Sequence, residues 1–172
     1  MEVFDAIRTV LAVRAFEDKP IPHDVVTRIL EAGRLTASAM NKQPWHFIVI
    51  RDRDRITSLG SALRTGPYVS SAALAVAVAV EPSPLAISDG SRAIQDMILT
   101  AWSEGVASNW VGFAGMLDEV GAMLKVPDDL QLLAVVPFGY PVGRVSKGHK
   151  ERKPHSEVIS LEQYGTPYRP RA

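Results

Sequence analysis

The apolar and polar positions divide the chain into alternating helical and extended segments. Val3, Phe4, Ile7, Val10 and Leu11 recur at helical spacing and predict an amphipathic helix over residues 2–11. Pro20 and Pro22 mark a turn, after which Val25, Val26, Ile29, Leu30 and Ala32 predict a second helix over 24–35. Residues 46–50 form a short β-rich run, a strand candidate. The charged stretch 51–55 opens a surface helix reaching about Leu63, and Thr65-Gly66-Pro67 closes it. The most apolar run, 69–80, is twelve residues long. A membrane span needs about 20, so this run is read as a buried strand. Within it, residues 74–80 alternate as Leu-Ala-Val-Ala-Val-Ala-Val, giving one branched face and one alanine face. A small-residue face admits a closely packed helix or a flat ligand, and the helix is the simpler use.

Further along, Glu81-Pro82-Ser83-Pro84 reads as a loop, and Ser88-Asp89-Gly90 leads into a helix over 91–105. Its stripe of Ile94, Met97, Ile98, Ala101 and Trp102 belongs to the core. Residues 108–113 read as a short extended segment, 117–124 as a helix and 131–140 as a second strongly apolar strand. From Pro141 the chain loses periodicity. The element order gives a mixed α/β arrangement of two or three layers with one boundary, at Tyr140. Residues 1–172 are thus one domain, with 141–172 an extended arm.

Composition changes this picture in two ways. The chain has 172 residues, 47% of them hydrophobic, enough for one domain with a proper core. Its 19 basic and 19 acidic residues balance, which argues against a general nucleic-acid or membrane-surface binder. The balance conceals a local excess: between Pro141 and Pro154 there are five Lys or Arg against one Glu. Cysteine is absent, which excludes disulfides, thiolate nucleophiles and Cys-ligated metal sites and fits a cytoplasmic protein. Residues 1–16 are mixed in charge and do not read as a targeting segment.

Several chemistries are excluded by motif. No G-x-G-x-x-G follows a strand, and neither a phosphate loop nor a G-x-S-x-G elbow is present. His23, His46, His149 and His155 lack metal-ligand spacing, so no metal site is expected. No carboxylate pair sits in an apolar context, so no side chain is expected to be the catalytic acid or base. Such a chain is expected to borrow its chemistry from an organic cofactor.

Three segments carry polar groups in a suggestive order. Residues 36–47 place small residues, then Asn41 and Gln43, before Pro44 and Trp45; their amides suit the edge of a heteroaromatic ring. Residues 108–113 contain Gly112, which permits a backbone N–H to approach a ligand closely. Lys150-Glu151-Arg152-Lys153-Pro154 is a cationic cluster able to hold a phosphate. Taken one at a time they read equally as a helix-to-strand turn, a strand end and a solvated tail.

Together with Val13-Arg14-Ala15-Phe16, Trp110-Val111-Gly112 and Pro137-Phe138-Gly139-Tyr140-Pro141, these segments resemble the nitroreductase family of flavoproteins from about Val3 to Tyr168. The Asn41-x-Gln43-Pro44-Trp45 piece is the most specific. The resemblance implies an α+β fold: a central mixed, mostly antiparallel sheet flanked by helices, with a C-terminal tail wrapping a partner. It implies a homodimer with FMN in the interface, NAD(P)H as electron donor, and nitroaromatics, quinones or related small molecules as acceptors in a ping-pong cycle. Hydride passes through flavin N5, which requires no catalytic side chain. Carried over by position, Arg14 ends the N-terminal phosphate segment, and Ser38, Ala39, Asn41 and Gln43 lie along the flavin, partly that of the partner subunit. Val111 and Gly112 fall where a backbone amide meets N5, and Lys150 and Arg152 reach the phosphate or ribityl end. Trp110, Phe113, Tyr68 and Arg64 are candidate pocket residues.

The family pattern Arg-Arg-Ser-hydrophobic-Arg stands here as Val10-Leu11-Ala12-Val13-Arg14, losing two cations and a hydroxyl. Charge-assisted hydrogen bonds of this kind are worth about 1.5–3 kcal/mol each. Arg8, Lys150, Arg152 and Lys153 are candidate replacements. Two alternatives follow: the same fold running other flavin or deazaflavin chemistry, such as dehalogenation or dehydrogenation, or a non-catalytic flavin-binding dimer.

Overall fold

A computed structural model describes residues 1–143, 145 and 150–168. The expectations at Arg144, Lys147 and His149 lie outside the described residues. Among the described residues the α-helices and strands follow in the order α1 (Val3–Thr9), α2 (His23–Leu35), β1 (Trp45–Ile50), α3 (Arg53–Ala62), β2 (Leu74–Val80), α4 (Pro84–Ser103), β3 (Ala107–Ser108), α5 (Asp118–Met123), β4 (Gln131–Gly139) and α6 (His155–Val158). The strands form one sheet in the order β1-β2-β4-β3, antiparallel at every ladder. Among the described residues the parallel pairing is an isolated bridge between Ala12 and Ser108.

β2 is buried on both faces because its alternation serves two cores. Leu74, Val76, Val78 and Val80 pack with Val25, Val26 and Ile29 of α2 and Ile94, Met97 and Ala101 of α4. Ala75, Ala77 and Ala79 on the other face pack with Ile56 and Leu59 of α3, Val69 and Val120 of α5. The alanine face therefore takes helices, and the architecture is three layers with the sheet in the middle. Of the apolar run 69–80, the strand occupies 74–80; Val69 lies in a 3-10 turn, Pro67–Ser71.

One boundary differs substantially from its expectation. α4 begins at Pro84 rather than at residue 91, and Ser88-Asp89-Gly90 lies inside it. Ser83 caps the helix, its hydroxyl accepting from the Ala86 amide at 3.2 Å, and Pro84 sits in the first turn, where its missing N–H costs nothing. Gly90 is a packing choice: a Cβ there would lie 2.7 Å from Val80 Cγ1, so glycine lets α4 press onto β2. The expected loop thus supplies a cap and a close contact. α6 gives the arm one short helix, and every described residue from Glu151 to Tyr168 is exposed. Among the described residues no helix is long and apolar enough to cross a membrane.

Candidate functional site

The segment joining α2 to β1 is the most strained stretch of backbone. Met40, Asn41 and Gln43 have φ of 52°, 53° and 51°, the left-handed region, without a glycine among them. Each such residue costs about 1–2 kcal/mol, so the conformation persists only where its surroundings impose it. They do so through backbone and carboxylate contacts. The Gln43 amide donates to Ser38 Oγ at 2.9 Å, the Asn41 amide to the Ser38 carbonyl at 3.0 Å and the Lys42 amide to the Ala39 carbonyl at 3.1 Å. The Ala39 amide donates to Asp89 Oδ2 at 3.0 Å, and Thr36 Oγ1 donates to Asp96 Oδ2 at 2.7 Å. Asn41 and Gln43 remain exposed, with Gln43 Nε2 donating to the Asn41 carbonyl at 3.3 Å, while Ser38 and Ala39 are half-buried.

The second segment lies along the β3 edge. Val111 is buried and exchanges hydrogen bonds with Val135 of β4, at 3.0 and 2.9 Å. Gly112 follows with φ +83°, and a Cβ there would meet the Leu117 side chain at 2.6 Å, so glycine is required twice over. The Gly112 carbonyl accepts from Trp110 Nε1 at 2.7 Å, whereas its N–H meets no protein acceptor among the described residues. Gly112 borders a cavity of about 510 Å³ together with Arg64, Thr65, Met116, Leu117 and Glu119. Of the expected pocket residues, Arg64 faces this cavity and Phe113 is exposed. Tyr68 is turned inward, its hydroxyl accepting from Asn109 Nδ2 at 2.6 Å.

Arg14 and Lys150 lie on the α1 and β3 side. The Val13 amide donates to the Ser108 carbonyl at 3.0 Å and the Val142 amide to the Ala15 carbonyl at 3.1 Å, so Arg14 projects from a segment pinned on both sides. Arg14 is exposed and holds no ion pair among the described residues. Lys150 Nζ donates to the Ile7 carbonyl at 2.6 Å, tying the arm to the end of α1. Burial, helped by the charge of Arg152, pushes the Lys150 ammonium below its ordinary range. Arg152 is exposed and donates to the Glu151 carbonyl at 2.8 Å. Arg8, a candidate replacement cation, is committed to Asp5 at 3.0 Å.

α4 measures the distance between the two groups. It touches the strained loop at Asp89 and α1 at Trp102, whose Nε1 donates to Thr9 Oγ1 at 2.9 Å. At about 1.5 Å per residue, the thirteen residues from Asp89 to Trp102 span roughly 20 Å. Within one chain, then, the structure brings Arg14 and Lys150 to the α1 and β3 side and holds Ser38, Ala39, Asn41 and Gln43 away from them.

Sequence reasoning missed Asp89 and Asp96. Their partners lie 50 and 60 residues away along the chain, and the pattern predicts Asp89 just before the helix rather than inside it. The available signal was spacing: Asp89 and Asp96 stand seven residues apart, on one face of a helix that continues through both.

Comparisons with known proteins follow these features. The family "Nitroreductase family" matches residues 8–81 and 79–140. A Methanothermobacter thermautotrophicus protein named "Putative NADH dehydrogenase/NAD(P)H nitroreductase" is 30% identical over 149 residues, covering 82% of this chain and 78% of its own. The crystal structure of a Bacteroides thetaiotaomicron protein with the same name superposes with a TM-score of 0.86 at 26% identity, over 94% of this chain and 98% of that one. A Desulfovibrio desulfuricans "putative nitroreductase in complex with FMN" superposes with a TM-score of 0.79 at 27% identity, over 95% and 98% of the two chains.

Proposed function

The chain belongs to the nitroreductase family, and on that premise we propose that it is an FMN-dependent oxidoreductase that takes hydride from NAD(P)H and reduces nitroaromatic, quinone or related small acceptors by a ping-pong mechanism. The observation that carries this reading is the Gly112 N–H, which meets no protein acceptor among the described residues, beside a cavity of about 510 Å³, at a position where both φ and Leu117 exclude a side chain. Such a donor suits a flat ring with an acceptor nitrogen at its edge. Names of relatives point the same way: NAD(P)H nitroreductase in one and bound FMN in another.

The remaining residues fit the same cofactor. Arg14, Lys150 and Arg152 would hold the phosphate, and the exposed amides of Asn41 and Gln43 would border the ring. The Arg14 guanidinium has no competing ion pair among the described residues, and Val10, Leu11 and Ala12 leave that end with fewer cations than the family pattern. When bound, FMN supplies the hydride-accepting and hydride-donating centre. The Gly112 amide would orient that ring edge, Arg64 and Glu119 would set the charge at the cavity, and the buried Leu117 would give the ring an apolar wall.

The functional unit in this reading is a homodimer. Asp89 beside the loop and Trp102 beside α1 stand roughly 20 Å apart along α4, and in this reading the loop of one subunit serves the flavin of the other. Support comes from apolar side chains left open on one chain: Val3 is 72% exposed, Phe4 73% and Tyr164 104%. α1 and the arm carrying Val158 and Leu161 would bury these against the partner. With NAD(P)H as its donor, the enzyme in this reading works in the cytoplasm.

The test is optical. Purified protein is expected to carry, or take up, FMN in a one-to-one ratio with its chains. The flavin absorbance should bleach with NADH or NADPH under anaerobic conditions and return on addition of a quinone or nitroaromatic. Protein that takes up no FMN refutes the reading, and bound FMN that neither donor bleaches leaves the non-catalytic flavin-binding dimer.

A further inference from the structure

Asp89 is the single charged residue buried among those described, with 2% of its surface exposed. A carboxylate in such a place is retained only where both oxygens are partnered. Oδ1 meets the Arg92 guanidinium one turn on, and Oδ2 accepts the Ala39 amide at 3.0 Å. Neither the core of α4 nor the helix cap at Ser83 needs this group. Its contact with Ala39 reaches out of the helix to the first residue of the 3-10 turn, Ala39–Asn41, immediately before the left-handed residues. Two turns further along, Asp96 takes the Thr36 hydroxyl at 2.7 Å. The two carboxylates hold the segment on either side of Ser38, and the loop amides cannot leave the α4 surface without releasing one of them.

We propose that Asp89 is a positioning residue for the cofactor site: its carboxylate fixes the Ala39 amide and thereby holds Met40, Asn41 and Gln43 in the left-handed conformation that presents the Asn41 and Gln43 side chains to the flavin. The inference rests on the reading that this loop borders FMN. Asp96, exposed and acting through a single hydroxyl, is the weaker of the two clamps. The juxtaposition also explains why three strained residues persist without glycine. Strain of that kind holds only where a neighbouring element defines the backbone on which it sits.

Asp89→Asn tests this with the helix preserved, since asparagine keeps the shape but, with its one carbonyl oxygen held by the Arg92 guanidinium, turns an NH2 donor toward the Ala39 amide. Hydrogen exchange of the flavin-free protein should show the Ala39 and Asn41 amides opening at least tenfold faster, with the exchange of β2 unchanged. FMN should bind about tenfold more weakly, equivalent to about 1.4 kcal/mol, with a shifted flavin absorption band. Asp96→Asn should move the same readouts in the same direction by a smaller factor. Asp52→Ala, which removes a helix cap on the opposite face of the sheet, serves as the control for lost stability: it should lower Tm without altering Ala39 exchange or the flavin spectrum. Asp89→Asn with unchanged Ala39 protection overturns the inference. So does faster exchange with unaltered FMN affinity and spectrum, which would make the clamp purely structural. Wild-type protein that binds no FMN overturns the underlying functional reading instead, and faster Ala39 exchange in Asp89→Asn would still establish the clamp.

Discussion

The two halves of the candidate cofactor site are built in opposite ways. The loop at 36–43 is closed on itself and on α4 by hydrogen bonds from Thr36, Ala39, Asn41, Lys42 and Gln43. The phosphate half is open: Arg14 projects from a pinned segment without an ion pair among the described residues, Arg152 is exposed, and the arm behind Lys150 lies in solvent. The difference teaches which half one chain can organise alone. In the proposed reading the ring-facing loop is preorganised within the chain, whereas the anchoring half would acquire its surroundings from a second copy and from the phosphate itself.

The strongest way to break the comparison is to deny the open half its partner. Phe4→Glu, at a side chain 73% exposed, introduces a charge on the apolar face of α1. If that face meets a partner, the variant should run as a monomer in sedimentation and lose essentially all bound FMN, while its far-ultraviolet dichroism is retained. A Phe4→Glu dimer with full flavin would show that the exposed face of α1 is not an interface.

Next in size comes the phosphate. With hydrogen bonds to a charged group worth about 1.5–3 kcal/mol each, and both arginines exposed, Arg14→Ala combined with Arg152→Ala should weaken FMN by about a hundredfold. Riboflavin, which lacks the phosphate, should bind the double variant as it binds the parent. Equal losses for both flavins would mean that these arginines act on structure rather than on phosphate. A smaller effect tests the closed half. Met40→Gly removes about 1–2 kcal/mol of left-handed strain and adds about 0.5–1 kcal/mol of unfolded-state entropy. Its Tm, measured by calorimetry, should rise by no more than about 2–4 °C. A fall would show that the Met40 side chain contributes contacts outweighing its strain.

The same contrast explains what the sequence could reveal. β2 was readable because alternation is a local property, and the structure assigns its two faces to two cores as the Val and Ala positions require. Ser38, Ala39, Asn41, Gln43 and Gly112 were picked out by residue type and by resemblance, and the structure places Gly112 at a cavity and Ser38–Gln43 in one strained loop. What type alone could not show is how they are held. Ser38 serves as an acceptor for a backbone amide, and three left-handed residues carry no glycine to announce them. Asp89 was hidden by Pro84 and Gly90, which read as breakers in one dimension. In three dimensions they are a helix start and a close contact with Val80. The arm was legible as basic and aperiodic, but its use depends on surfaces outside a single chain.

The finest distinction concerns Lys150, which lies in the open half and yet is itself tied down. Its ammonium donates to the Ile7 carbonyl, and burial together with Arg152 holds its pKa below the ordinary lysine range. The folded chain therefore binds this proton less tightly than the unfolded chain does. In the alkaline window between the lowered and the ordinary values, the unfolded state carries more protons, so stability of the flavin-free protein should rise with pH. Phosphate binding has the opposite sign, because a neutral amine still donates to Ile7 but no longer attracts an anion. FMN affinity should thus fall across the window in which folding stability gains slightly. Lys150→Arg keeps its charge throughout and should flatten both slopes, read by denaturant unfolding and by fluorescence titration of FMN over the same alkaline range. If the affinity slope survives in Lys150→Arg, another group carries it, and Lys150 only ties the arm to α1.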